Sequence, residues 1–151
     1  MAVIVGTDSY ADETYLADYA TARGWALMGD PSELLINAMD AIEALEPRYQ
    51  GERTEYDQPL AWPRIDVYVR GELIDSTTVP DDVLKAQCQY AMTIDAGASV
   101  FAPMTATGSR SVGDVSVTTT TPGAAPYLAK AQALLRKFYR PAFGQAWVTR
   151  A

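Results

Sequence analysis

Asp30-Pro31-Ser32-Glu33 constrains this chain more than any other stretch. An aspartate that can cap, a proline at the first helical position and a glutamate three residues after the cap together spell a helix start. Behind it Leu34, Leu35, Ala38, Met39, Ile42 and Leu45 recur at helical spacing, and Pro47 ends or kinks the run. Such a helix buries one face, and three more segments offer faces to meet it. Asp12 to Arg23 carries Tyr15, Leu16, Tyr19 and Ala20, with Gly24 as its stop. Pro80-Asp81-Asp82 opens a third helix to about Asp95, bearing Val83, Ala86, Tyr90, Ala91 and Ile94. A fourth runs from Pro126 to about Phe138, with Leu128, Ala131, Leu134, Leu135 and Phe138 near one face.

The remainder reads as connections and short β elements. Trp25 to Met28 is an apolar link, and Gln50 to Gln58 is a charged loop. Ile65, Val67 and Val69 alternate with Asp66, Tyr68 and Arg70, and Arg70-Gly71 can turn into Glu72-Leu73-Ile74 as a short hairpin or extended arm. Gly97 to Ser109 is expected to be loop, and Ser111 to Thr121 is β-rich, ending in four threonines. Pro141 and Gly144 stop regular structure and leave Phe143 and Trp147 in a short tail. The expected fold is mainly α: a small bundle of about four helices, a short β hairpin or arm, and an extended C-terminal tail. A chain of 151 residues suits one domain.

Composition excludes much chemistry. There is no histidine, which removes the commonest general base and metal ligand and rules out Ser-His-Asp or Cys-His arrangements. The single cysteine, Cys88, forms no internal disulfide and lies mid-helix, where a small core residue is expected and a reactive thiol is the alternative. Asp12-Glu13 and Asp81-Asp82 are paired carboxylates, but each pair sits at a helix start and complements the dipole there. Gly6-Thr7-Asp8-Ser9 lacks the lysine of a phosphate loop and reads as a turn. No catalytic, metal or cofactor residue is assigned, and no enzyme activity is expected. No apolar run approaches the roughly 20 residues of a membrane span, so no membrane partner is expected. The apolar N-terminal run is short and lacks a basic flank, which points to an intracellular start.

Charge is distributed unevenly. All 19 acidic residues lie at or before Asp114, alongside seven basic ones, a net of −12. After Asp114 come only Lys130, Arg136, Lys137, Arg140 and Arg150. Such a body repels nucleic acid while its end can dock on an acidic partner. Two patches mix aromatic and basic residues. One gathers Tyr49, Arg53, Trp62 and Arg64 around one loop; the other is Arg136-Lys137-Phe138-Tyr139-Arg140. Single-stranded nucleic acid could stack on either, but the acidic remainder opposes it, and protein docking is the favoured reading for the tail. Trp62-Pro63-Arg64 itself reads as packing by Trp62, an exit direction set by Pro63 and a carboxylate partner for Arg64.

An ordered series runs through the chain: Ser9-Tyr10, Tyr19-Ala20-Thr21-Ala22-Arg23-Gly24, Tyr49-x-Gly51-x-Arg53, Gln58-x-Leu60-Ala61-Trp62-Pro63-Arg64, Val79-Pro80-x-x-Val83, and Val112 to Val117 before Leu134-Leu135. It resembles a tailed-bacteriophage protein family often labelled DnaT-like single-stranded DNA-binding, whose members resemble head–tail connector (adaptor) proteins. That resemblance implies a structural virion protein at the neck: an adaptor domain over 1–138, and a docking tail over 139–151. It also implies a dodecameric ring of copies beneath the portal protein, contact with a tail or stopper protein, and genome DNA passing non-specifically through a channel. Arg136, Lys137, Tyr139, Arg140, Phe143, Trp147 and Arg150 would then dock on the portal or a neighbouring copy. Tyr49, Gly51, Arg53, Trp62, Pro63 and Arg64 would be the structural signature. The alternative expectation is a DnaT-like replication accessory that binds single-stranded DNA.

Overall fold

The computed structural model describes residues 2–98, 100, 105–112, 115–122 and 126–141, with side chains for 2–98, 100 and 128–141. Four helices and three two-stranded antiparallel ribbons make a mainly α fold among these residues. Helix α1 (Glu13–Thr21) is capped by Asp12, whose side chain accepts the Tyr15 N–H at 2.7 Å. Helix α2 (Pro31–Glu43) begins as its sequence dictates: Asp30 Oδ1 accepts the Ser32 N–H at 2.8 Å, and Pro31 stands in the first turn. A helix start leaves backbone donors without partners, and both aspartates supply one.

Helix α3 (Asp81–Asp95) is the centre of the molecule. Every residue from Ala86 to Thr93 is buried, because α2 packs on one side of it and helix α4 (Pro126–Arg136) on the other. A stretch of helix buried on every side offers its polar residues no water, so they need internal partners. Gln87 shows how: its Oε1 accepts the N–H groups of Tyr10 and Ala11 at 3.1 and 2.9 Å, while its Nε2 donates to Ser9 Oγ and Leu35 O. One carboxamide thus fastens the N-terminal segment to α2 and α3. At the far end Asp95 accepts Trp25 Nε1 at 2.9 Å and the Gly29 N–H at 2.7 Å, tying down the link between α1 and α2. Cys88 is fully buried and burial pushes its thiol up to about 12, so it is a packing residue with little thiolate character.

Helix α2 stops at Glu43, and Pro47 sits in a single 3-10 turn, Glu46–Arg48, that delivers the chain to Tyr49. Strand β1 (Glu52–Arg53) pairs with β2 (Arg64–Ile65), and β3 (Tyr68–Val69) with β4 (Glu72–Leu73). The β3–β4 turn is the expected Arg70-Gly71, both residues at positive φ (55° and 84°), as a two-residue hairpin requires.

One expectation needs correction. The loop assigned to Gly97–Ser109 ends earlier: β5 (Thr105–Val112) pairs in full with β6 (Val115–Pro122), Thr105 opposite Pro122 and Val112 opposite Val115. The β-branched Thr105, Thr107 and Val112, together with eight cross-strand pairs, outweigh Gly108. The body also continues past residue 138. Tyr139 forms an antiparallel bridge with Tyr49, and the Arg140 N–H donates to Arg48 O at 2.7 Å, so the start of the expected 139–151 tail is built into the fold.

Candidate nucleic-acid interface

The two signature segments meet in one knot. Trp62 is only 2% exposed, its ring set edge-on to Tyr49 (centroids 5.3 Å apart) and to Phe138 (5.0 Å). Tyr49 is fully buried, donates its hydroxyl to Ile42 O at 3.1 Å, and has its phenol pKa driven far up by burial. The Trp62–Pro63 peptide is cis. Arg64, 4% exposed, donates Nε to Gln50 O at 2.8 Å, one terminal nitrogen to Gly51 O at 2.7 Å, and the other to Ala61 O at 3.2 Å and Glu46 Oε1 at 3.4 Å. Arg53 grips both oxygens of Glu46 at 2.7 Å, in the two-point geometry a guanidinium favours. Gly51 lies at φ 64°, and a Cβ there would sit 1.8 Å from Ile65 O.

These contacts leave the signature nothing with which to hold a base. Trp62 shows no ring face to solvent, and the Arg53 and Arg64 guanidiniums are occupied by Glu46 and backbone carbonyls.

A second group of cations forms where the chain returns. The Gln50 N–H donates to Phe138 O at 2.8 Å and Arg140 Nε to Tyr49 O at 2.8 Å, so residues 138–140 lie alongside 48–50. This brings Arg48, Arg136 and Arg140, all exposed, to the neighbourhood of Tyr139. Burial raises the Tyr139 phenol pKa, while the Arg48 guanidinium, hydrogen-bonded to it, and the Arg136 charge pull the other way. Tyr139 stands 5.9 Å from Tyr49, the outermost ring of a series leading inward to Trp62. No carboxylate among the described residues forms an ion pair with Arg48, Arg136 or Arg140. Lys137 differs, since its ammonium is bound to Asp82.

Of the residues assigned to docking, then, Arg136, Tyr139 and Arg140 converge, and Lys137 is turned to an internal partner. Phe143, Trp147 and Arg150 lie outside the described residues. Arg48 was missed, because its neighbours in space are some ninety residues away in sequence and no spacing rule connects them. Among the described residues, no group of three or more Cys, Asp or Glu is placed to hold a metal ion.

The model of a family described as "Putative DnaT-like ssDNA binding protein" matches residues 2–151. The chain belongs to this family. No curated protein and no solved structure matches it. The match overturns the connector expectation. A DnaT-like family described by binding to single-stranded DNA lends no support to a structural virion protein, a ring beneath a portal, or tail and stopper partners. It supports the alternative, and it turns attention from assembly to the exposed arginines around Tyr139.

Proposed function

We propose that this DnaT-like protein binds single-stranded DNA without catalysing a reaction on it. Arg48, Arg136 and Arg140 hold successive phosphates, and Tyr139 lies between them. The observation that carries this reading is the exposure of three arginines, without carboxylate partners among the described residues, at one place on a chain that is otherwise acidic. Membership of a family so described supports it.

The charge distribution also sets the kind of binding. With a net charge of −7, most of the surface repels phosphate, so only a flexible strand can put its backbone on a small cationic stripe. A duplex brings a second, rigid backbone against the acidic body. Binding is therefore weak, salt-sensitive and selective for the single strand. Fluorescence anisotropy of labelled oligo(dT), competed with unlabelled single strand and with duplex of the same length, tests this. Competition by single strand alone supports the reading. Equal competition by both removes the selectivity, and no binding at low salt removes the function.

A further inference from the structure

The β3–β4 hairpin beside this stripe carries an exposure that folding does not call for. Tyr68 and Leu73 are cross-strand partners, 51% and 59% exposed, so an aromatic and an aliphatic side chain stand next to each other in solvent. The hairpin is rooted one step inward, where Val67 is fully buried and the Ile74 N–H donates to Val67 O at 3.0 Å. Its stability rests on that root, which leaves Tyr68 outside the packing.

Gln50 fixes where Tyr68 stands. Its Oε1 accepts the Tyr68 N–H at 3.1 Å, and its Nε2 donates to Tyr68 O at 3.1 Å, Lys137 O at 3.2 Å and Tyr139 O at 3.3 Å. One carboxamide therefore ties the Tyr68 main chain to that of Lys137 and Tyr139, in the segment that presents Arg136 and Arg140. Through Gln50 the main chain that carries Tyr68 lies beside the main chain that carries Arg136 and Arg140.

We propose that Tyr68, with Leu73 beside it, is a base-stacking platform for the same single strand whose phosphates lie on Arg48, Arg136 and Arg140. The proposal rests on the single-stranded-DNA reading and deepens it by naming what meets the bases. An aromatic face accepts any base, so the contact is sequence-tolerant. It also requires an unstacked base, which a duplex does not offer, and so adds selectivity that phosphate contacts do not supply. Beside Tyr68 the hairpin carries the exposed carboxylates of Asp66 and Glu72, with the exposed Arg70 at its turn, so its net charge is negative. The backbone is thereby directed to the arginines and the bases to the tyrosine. Continuity with a cationic stripe that forms no ion pair among the described residues favours a polyanion with hydrophobic rings over a protein partner.

The test compares the full chain with Tyr68→Ala and Tyr68→Phe, using oligo(dT) and an abasic oligonucleotide of equal length. Tyr68→Ala is expected to lose roughly tenfold in affinity for oligo(dT), with its salt slope unchanged, and nothing for the abasic strand. Tyr68→Phe should retain both affinities. If Tyr68→Ala binds oligo(dT) like the parent, or weakens both strands equally, the stacking platform is overturned while the DNA-binding reading stands. If the parent binds neither strand, that reading fails with it. A circular-dichroism melt checks that the variants keep their fold, as the exposure of Tyr68 leads one to expect.

Discussion

Two sets of arginines flank one 3-10 turn and are put to opposite uses. Arg53 and Arg64 are bonded to Glu46 and to the carbonyls of Gln50, Gly51, Gln58 and Ala61. Arg48, Arg136 and Arg140 are exposed and form no ion pair among the described residues. The first set belongs to the most recognisable motif in the chain; of the second, Arg136 and Arg140 share a basic and aromatic run and Arg48 stands outside it. The Arg64 guanidinium is buried and must satisfy its donors or carry a large desolvation cost, so its place is fixed by geometry, while Arg53 is half-buried and held by Glu46. An exposed guanidinium faces no such demand. Arg140 commits its Nε to Tyr49 O and Arg48 bonds Tyr139, but neither meets a carboxylate in an ion pair among the described residues.

The largest test of this contrast is Trp62→Ala, which removes a ring packed between Tyr49 and Phe138 and should lower stability by roughly 3–5 kcal/mol in urea denaturation. An unchanged midpoint would mean that the knot is not part of the core. Gly51→Ala comes next. Left-handed backbone strain contributes about 1–3 kcal/mol, and displacement of the Ile65 carbonyl adds to it. Wild-type stability in that variant would show that β1 and β2 can separate freely.

At Glu46, pH separates the contribution of charge from that of packing. Hydrogen bonds from Arg53, its positive charge and that of Arg64 hold the Glu46 carboxyl below its usual range. A depressed carboxyl contributes stability that is present above its unfolded pKa, about 4.3, and lost as pH falls through the folded one. Urea midpoints of wild type and Glu46→Gln should therefore differ at pH 7 and draw together as pH falls from about 4.3 through the depressed pKa of the folded state. A difference that persists in acid would mean that packing, not charge, supplies the contribution. The smallest expected effect on folding is at the other arginines: Arg48→Ala and Arg136→Ala should each stay within about 0.5 kcal/mol of the parent.

The helices were legible because their signals are local. Asp30 caps where it should, Pro31 and Pro80 mark starts, and the apolar stripes of α2 and α4 face the core. The Arg70-Gly71 turn was legible for the same reason. The β5 strand was not, since Gly97, Gly108 and the small residues around them mimic a loop until pairing with β6 is known. The candidate interface was half legible. Arg136, Tyr139 and Arg140 stood out as a patch, but Arg48, Gln50 and Tyr68 join them only through contacts between residues far apart in sequence. The family resemblance was sound in its DnaT-like label, and the connector role attached to it was not.

The central claim is that exposed arginines, not the signature ones, hold a single strand. The most direct test is the salt dependence of oligo(dT) binding in the parent and in Arg48→Ala/Arg136→Ala. Three phosphate contacts predict a log–log slope of about −2, falling to about −0.7 in the double variant, with melting temperature retained. A slope and affinity that do not change in that variant would contradict the account.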